Sequence, residues 1–440
     1  MSITLLSFVL IGTLILMLCL GQPLAWALGS TAIVICLIHF PHLGVVSSFV
    51  NRNYELAQGS TLMAVPLFVM MAAILQRSGV PEALFRAAYI WAGGLRGGLA
   101  IGVILSNIVM AAMVGVVGAE IVTLGMIALP QLMKQKYDDT LALGALAAGG
   151  GLATLIPPSV VLIVYSMTAG VSVAHLFTAG ILPGLILAAG FVIFILVHVK
   201  RHPEAAPLPP EELRNLPLIE RFKSLKELAL PLPIIFGILA SIYMGIATPN
   251  EAAGVGVVLV MIAAIINRKF NLKILWDSCQ ETLKVSCMLA WLFFGAQCVI
   301  GAYTLAGGTH FVRDAIIGLD LGVWGTLIMM NLIWIFMGCF LDWMGILFLT
   351  IPIFLPVILK MGLDPIWFGI LYCMNMQVSY LSPPFAPSSF YMKSIAPKEV
   401  TMMRIYKGTL PYLIVTFTML VIITVWQDLP LYLVRLMMAH

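Results

Sequence analysis

The sequence predicts an all-α polytopic membrane protein built from two inverted repeats, each with about five spans, a re-entrant hairpin and a proline-broken helix. Three observations support this prediction. The composition is too apolar for a soluble protein, the chain nearly repeats itself after 226 residues, and both halves carry a doubled proline in the same register.

The composition indicates that most of the surface meets lipid. Of the 440 residues, 61% are hydrophobic and 10% are charged, whereas a soluble chain is roughly one quarter charged. Apolar stretches near the length of a membrane span recur, among them Leu5 to Leu20, Gly180 to Val199 and Gly408 to Trp426. We expect the first stretch to be a retained helix, because no Lys or Arg precedes it.

The charge and the cysteines exclude other classes of protein. A net charge of +4 does not indicate a nucleic-acid partner, because the basic residues lie at the ends of apolar stretches. We expect the lipid bilayer to surround the protein. The seven cysteines show no spacing typical of metal ligands, so neither a metal centre nor a disulfide is expected. No organic cofactor is predicted.

The two halves share one register of prolines. A shift of 226 residues aligns Pro23 with Pro249, Pro130 with Pro356, Pro157 with Pro383 and Pro158 with Pro384. Matches of Leu or Ile are expected by chance in so apolar a chain, but matched prolines indicate an internal repeat. The polar stretch from Lys200 to Ala229 separates the halves. We therefore predict a first repeat at 1–199, a cytoplasmic linker at 200–229 and a second repeat at 230–440.

Each half contains a pair of apolar segments that are short for a membrane span. Leu99 to Met113 and Ala119 to Met133 are each about 15 residues, or roughly 22 Å of helix, against a hydrocarbon core of about 30 Å. We predict a re-entrant hairpin with its tip at 114–118. The second predicted hairpin comprises Gly322 to Phe340 and Gly345 to Lys360, with its tip at 341–344.

Each hairpin is followed by a long span that a doubled proline interrupts, at Pro157-Pro158 and at Pro383-Pro384. Proline frees helix carbonyls. Opened backbone at membrane depth is tolerated only where protein buries it or it lines a cavity, so we expect the two tips and the two breaks to converge on a polar site. The glycines at 149–151 are interpreted as flexible backbone before the first break.

The basic residues predict the orientation of the chain. If the hairpins do not cross the membrane, each half has five spans. Because five is odd, the second repeat has the opposite orientation in the membrane. If the linker is cytoplasmic, 19 of the 23 basic residues lie at inner boundaries and four lie outside, namely Arg52, Arg313, Lys360 and Arg435. This bias follows the positive-inside rule and places both termini on the outer side.

Six stretches of the chain resemble one known family. They are Gly21 to Gly29, Val65 to Phe68, Leu155 to Ser159, Gly245 to Ala253, Gly338 to Asp342 and Leu381 to Pro384. On these residues, from about residue 5 to about residue 425, the chain resembles the large membrane subunit of tripartite ATP-independent periplasmic (TRAP) transporters. The Thr-Pro-x-Glu-Ala-Ala element at 248–253 and the doubled prolines make the resemblance specific.

The resemblance implies binding-protein-dependent import of a small organic, carboxylate-bearing solute across the bacterial inner membrane, driven by sodium. It also implies an elevator mechanism, which we assign to a transport domain at 97–170 and 320–396 moving against a scaffold of the remaining spans. The implied partners are a small four-helix membrane subunit and a periplasmic substrate-binding protein. The alternative is a single-component, ion-coupled carboxylate transporter or exchanger of similar architecture.

The first hairpin tip departs from the family pattern. The family's Ser-Gly-Ser followed by Ala-Asp is here Val114-Gly115-Val116 followed by Ala119-Glu120. Two hydroxyls that could face a cation or a carboxylate are therefore absent from this tip.

Sodium requires several oxygen ligands, which an opened helix supplies as carbonyls and side chains complete. The predicted ion-binding residues are Glu120, Pro157, Gly338, Asp342, Ser382 and Pro383. The predicted substrate-binding residues are Gly115, Gly118, Ser159, Asn375, Gln377 and Ser388. Two alternatives stay open: the hydroxyls could bond to their own helices, and Glu120 could pair with a nearby basic group. Glu251 is interpreted as a structural residue at a helix start.

Two rival classes lack their sequence signals. An intramembrane enzyme needs a nucleophile with a base, paired Asp residues or zinc ligands inside the spans, and the sequence places none there. A channel does not need two halves with matched breaks. The sequence therefore predicts a transporter subunit and not an enzyme.

Overall fold

A computed structural model describes residues 2–40, 63–208, 216–319 and 321–438, together with 47, 49–51, 53, 54 and 58. Throughout these residues, the regular structure is helical. The all-α prediction is therefore confirmed for the part described. Arg52, Arg214 and residues 209–215 of the predicted linker lie outside it.

The first half begins with a series of short apolar helices. These are Ile3–Cys19, Leu24–His39, Ala64–Leu75 and Val80–Ala92. The last two are bent by 67° at a break, which leaves Val80–Ala92 as a separate arm. The half ends with the 29-residue helix Val173–Arg201.

The rest of the chain also contains a hairpin and a broken helix between outer helices. Its outer helices are Leu218–Ser224, Pro231–Tyr243, Pro249–Ile266, Leu272–Leu305, Gly308–Gly318, Met402–Val425 and Asp428–Met438. Thr248 and Glu251 form a capping box at the start of Pro249–Ile266, in which each side chain bonds to the backbone of the other residue. The structural interpretation of Glu251 is confirmed.

Helix pairs are present at both predicted hairpin positions. The first hairpin consists of Gly98–Val114 and Val117–Lys134, and the second of Gly322–Gly338 and Trp343–Lys360. Each helix has 17 or 18 residues, so each is about 26 Å long. Val117–Lys134 and Trp343–Lys360 are long and apolar enough to cross a membrane, so the re-entrant character of both hairpins stays a prediction.

The long span after each hairpin is broken as predicted. The first broken helix runs through Thr140–Gly144, Ala145–Gly150 and Gly151–Thr154, and resumes at Val160–Ala169. The second broken helix consists of Pro365–Leu381 and Pro387–Ile395. Tyr165 joins the two, because its hydroxyl donates a 2.7 Å hydrogen bond to the Pro365 carbonyl.

The helices are numerous and apolar enough for a multi-pass membrane protein. In the described chain, six helices are long and apolar enough to cross a membrane alone, or up to eight if each bent pair is one span. Ile3–Cys19 and Leu24–His39, with 17 and 16 residues, fall below that length. The number of five spans per half therefore stays a prediction, as does the inversion of the second half.

The packing of the helices forms two groups. Leu24–His39 and Ala64–Leu75 pack with Pro249–Ile266 and Leu272–Leu305 from the other half. The hairpins and broken helices pack with Val173–Arg201 and Met402–Val425. In the second group, most residues around both breaks are fully buried. This group therefore positions the candidate site.

Candidate functional site

The first hairpin tip lies against the first break. Gly115 has a φ of +64°, and its carbonyl accepts a 3.3 Å hydrogen bond from the Val160 amide. A β-carbon at Gly115 would collide with the carbonyl of Pro158. Both the positive φ and this close approach require glycine. Gly115 therefore connects the tip to the backbone around Ser159.

The same hairpin also contacts the second broken helix. A β-carbon at Gly118 would lie 2.6 Å from Cζ of Tyr391, and one at Gly125 would collide with Ile395. Tyr391 and Ile395 belong to Pro387–Ile395, the helix that follows the second break. The first hairpin is therefore packed between both broken helices.

The second hairpin tip lies against the second break. A β-carbon at Gly338 would collide with the Ser379 side chain, and Cys339 Sγ lies 3.9 Å from the Pro383 carbonyl oxygen. A narrow cavity of about 10 Å³ separates the two elements, which is room for about one water molecule. Its walls are Gly338, Leu341, Trp343, Ile346, Met376, Ser379, Tyr380 and Pro387.

Asp342 occupies the N-cap position of Trp343–Lys360, and its carboxylate lies next to the backbone amides of Trp343 and Met344. Its carboxylate lies within electrostatic range of three tyrosines, Tyr372, Tyr380 and Tyr391. The hydroxyl of Tyr372 donates to the carbonyl of Trp343, next to Asp342. The predicted position of Asp342 opposite the second break agrees with these contacts.

The two broken helices meet through Thr154 and Gln377. The Thr154 hydroxyl donates a 2.9 Å hydrogen bond to Oε1 of Gln377. A β-carbon at Gly151 would lie 2.7 Å from Nε2 of the same amide. The contact brings together residues 223 positions apart in sequence.

The three glycines at 149–151 are packing positions, a role that sequence reasoning missed. A β-carbon at Gly149 would collide with Asn107, and one at Gly150 with Ile121. Both contacts lie on the first hairpin, while Gly151 faces Gln377 in the second half. All three glycines lie at close helix–helix contacts, so packing requires them, while their flexibility stays a prediction.

Several polar atoms around this junction are buried and have no hydrogen-bond partner within the described protein. They are both carboxylate oxygens of Glu120, both amide atoms of Asn107, Oδ1 of Asn375, Nε2 of Gln377 and the hydroxyls of Ser388 and Ser389. Buried polar atoms nearly always have partners in folded proteins. Their accumulation here favours a site where a ligand supplies the missing contacts.

Other predicted site residues are bonded within the protein. The Ser159 hydroxyl donates to the Thr154 carbonyl and the Ser382 hydroxyl to the Val378 carbonyl. The Asn375 amide donates to Asn331 Oδ1 at 2.6 Å, which ties the second broken helix to the second hairpin. For Ser159 and Ser382, the alternative of bonding to neighbouring backbone applies in this structure.

Glu120 lies in the first turn of Val117–Lys134 and is fully buried. Within the described chain, no basic side chain pairs with it.

The sequence analysis did not identify three further residues of this junction, Asn107, Asn331 and Tyr391. An Asn inside an otherwise apolar helix is a signal that could have identified the first two.

A larger groove of about 400 Å³ lies on the outer face of the second hairpin. It is lined by Gly325, Ile328, Met329, Leu332, Ile333 and Phe336. Because these residues supply only apolar side chains, the groove suits lipid tails better than a polar solute.

Comparisons with known proteins agree with this architecture. Residues 11–429 match the family described as tripartite ATP-independent periplasmic transporter, DctM component. The C4-dicarboxylate TRAP transporter large permease protein DctM of Vibrio cholerae is 30% identical over 446 residues, covering 96% of this chain and 95% of that protein. The ectoine/5-hydroxyectoine TRAP transporter large permease protein UehC of Ruegeria pomeroyi is 26% identical, covering 96% and 97%.

The solved structure of MtrF from Neisseria gonorrhoeae, described as an antimetabolite efflux pump, resembles this chain in fold. Its TM-score is 0.61 at 13% identity, covering 89% of this chain and 85% of that one. At this identity the likeness concerns the fold alone. The sequence relatives carry solutes of different chemistry, so relatedness does not define the solute.

Proposed function

This chain belongs to the DctM component family of tripartite ATP-independent periplasmic transporters, as a large permease subunit, and from this premise we propose that it imports a small organic, carboxylate-bearing solute using a sodium gradient. The observation that carries the proposal is the junction of two hairpin tips and two helix breaks, lined by buried polar atoms without partners.

The proposed cation sites lie at the two tips. Carbonyls freed at Pro157 and Pro383 supply oxygen ligands, and Glu120 and Asp342 each supply a carboxylate. We assign Gly338 and Ser382 to the second site because Gly338 ends the helix before the second tip and Ser382 begins the second break, which the tip contacts. Charged groups inside a membrane protein are costly and are typical of ion pathways.

The proposed solute site lies between the cation sites. Asn375, Gln377 and Ser388 contribute polar atoms that are buried and without partners. Because Gly115 and Gly118 have no side chains, the backbone of the first hairpin lies close to Pro158 and Tyr391, beside this site. Ser159 lies beside Gly115 at the first break, where its hydroxyl could exchange its bond to the Thr154 carbonyl for one to the solute.

The proposed mechanism is an elevator, in which the junction moves as one body across a scaffold. Its predicted bounds are 97–170 and 320–396. Because Val173–Arg201 and Met402–Val425 pack on the hairpins and broken helices, we propose that the moving body includes these helices as well. The scaffold then consists of the helices packed around Leu272–Leu305.

The proposed setting is the bacterial inner membrane, with both termini periplasmic. Permeases of tripartite systems among the relatives support two partners, a small four-helix membrane subunit and a periplasmic substrate-binding protein. No nucleic acid and no organic cofactor are part of the proposal.

The test is uptake into proteoliposomes. The complete complex, supplied with a sodium gradient and loaded binding protein, should accumulate solute, while this chain alone should be nearly inactive. Uptake that is independent of the sodium gradient would refute the coupling of solute transport to sodium. Strong uptake of free solute by this chain alone would favour the single-component transporter or exchanger.

A further inference from the structure

The junction contains carboxyl side chains and no basic ones. Among the buried side chains of the described residues, Glu120 is the one acidic group, and none is Lys, Arg or His. Asp342 adds a second carboxylate at the other tip. Lys393, on the helix after the second break, donates instead to the Val400 carbonyl at 2.6 Å. No described basic side chain balances a solute's negative charge.

Helix ends do not supply the missing positive charge. At each tip and each break, the C-terminus of one helix segment meets the N-terminus of the next. The partial charges of roughly −0.5 and +0.5 therefore cancel in sum. A single N-terminus still suits one carboxylate group locally. The proposed sodium ions, one at each carboxylate, would neutralise Glu120 and Asp342.

The aromatic residues at the junction come from the second half of the chain. Trp343 and Tyr380 line the cavity at the second tip. The Tyr391 ring packs against Gly118 of the first hairpin and lies within electrostatic range of Asp342. The first tip and the first break, at 114–118 and 156–159, contain no aromatic residue. Faces of Trp and Tyr rings attract cationic nitrogen.

On this basis we infer that the solute is a zwitterion without net charge, whose cationic nitrogen contacts Trp343, Tyr380 and Tyr391. Its carboxylate faces the amides and hydroxyls of Gln377 and Ser388. A dianion would leave two negative charges uncompensated in an apolar interior, which is costly. The inference rests on the proposed transport function and defines its solute class. The second tip must move from the break to admit the solute, since the cavity there holds about one water molecule.

Direct binding tests the inference without the binding protein. The purified chain, with its small subunit where the two co-purify, is placed in lipid nanodiscs with sodium, and its thermal unfolding midpoint is measured. The probes are ectoine and glycine betaine as zwitterions, isethionate as a monoanion and succinate as a dianion. A ligand that binds the folded state raises the midpoint. We expect a rise with a zwitterion and none with the anions.

An equal or larger rise with isethionate or succinate overturns the inference, and so does the absence of a rise with both zwitterions. Tyr391→Leu should weaken zwitterion binding by about three- to thirty-fold, the range of a cation–π contact. Tyr391→Phe keeps the ring and should restore most of the affinity. Phe390→Leu, at the neighbouring ring, is the matched control, because Phe390 and Tyr391 are similarly exposed, at 50% and 40%. If Tyr391→Leu lowers the thermal unfolding midpoint of the free protein but leaves its affinity for the zwitterion unchanged, Tyr391 has only a packing role and the inference fails.

Sodium-driven uptake separates this inference from the proposed function. Uptake of an anion by the complete complex would leave the transport function intact and overturn the solute class. Zwitterion binding without any sodium-dependent uptake would support the solute class and refute the transport mechanism.

Discussion

The Thr154 hydroxyl and the Gln377 side-chain amide form a 2.9 Å hydrogen bond that joins the two broken helices across the halves of the chain. Both side chains are fully buried. The bond fixes the first break relative to the polar side chains of the second broken helix. It is therefore expected to contribute to both stability and solute affinity.

Thr154→Val removes this hydroxyl at nearly constant volume. Leaving Gln377 Oε1 buried without a donor should cost about 1–3 kcal/mol of stability. The measurement is thermal unfolding in nanodiscs together with the KM for uptake. Thr168→Val is the control, because the Thr168 hydroxyl donates to the Val164 carbonyl of its own helix. Equal effects of both substitutions would contradict a special role for Thr154.

Gly338→Ala tests the contact between the second tip and the second break. The added β-carbon collides with the Ser379 side chain, and overpacking of this kind costs about 1–3 kcal/mol. We expect the hairpin to be displaced and uptake to fall. Gly254→Ala is the control, since a β-carbon there meets nothing within 4 Å. Normal uptake by Gly338→Ala would show that the tip does not need this contact.

Asp342→Asn tests the second cation site. The change keeps the shape and removes the formal charge, so half-maximal activation should require more sodium. A loss of about 1–3 kcal/mol of cation affinity corresponds to roughly five- to a hundred-fold. A sodium titration of uptake by the complete complex measures it.

An unshifted sodium curve for Asp342→Asn would remove Asp342 from the cation site, and failed assembly would indicate a structural role. Asp428→Asn provides the matched control. Asp428 is exposed and pairs with Arg435 near the C-terminus, at 2.7 Å.

Cysteine labelling tests the orientation. In a background without the seven native thiols, Glu204→Cys in the linker should react only from the cytoplasmic side. Arg52→Cys should react from the periplasmic side, because the distribution of basic residues predicts this topology. Labelling of Arg52→Cys only from the cytoplasm would reverse the orientation and the assignment of both hairpins.

The elements were predictable because their signals are local. The lengths of the apolar segments predicted the positions of both helix pairs, and the doubled prolines predicted both breaks, since proline acts on the backbone of its own helix. Glu251 was interpreted correctly for the same reason: its capping contacts reach only three residues along the chain, to Thr248.

The contacts of the candidate site required the tertiary structure. Tyr391 lies against Gly118, and Asn107 against Gly149, because helices distant in sequence pack side by side. Such pairings depend on which helix faces meet, and the periodicity of a helix that is apolar all round does not show this.

By itself, the sequence determined that the chain enters a membrane, where its backbone opens and which polar residues lie near the openings, because composition, proline and helix length act locally. The tertiary structure alone decided that the glycines at 149–151 are packing positions and that Tyr391 packs against the first hairpin at Gly118. The physical reason is that close packing selects among helix contacts by shape, and shape complementarity exists only once the helices have assembled.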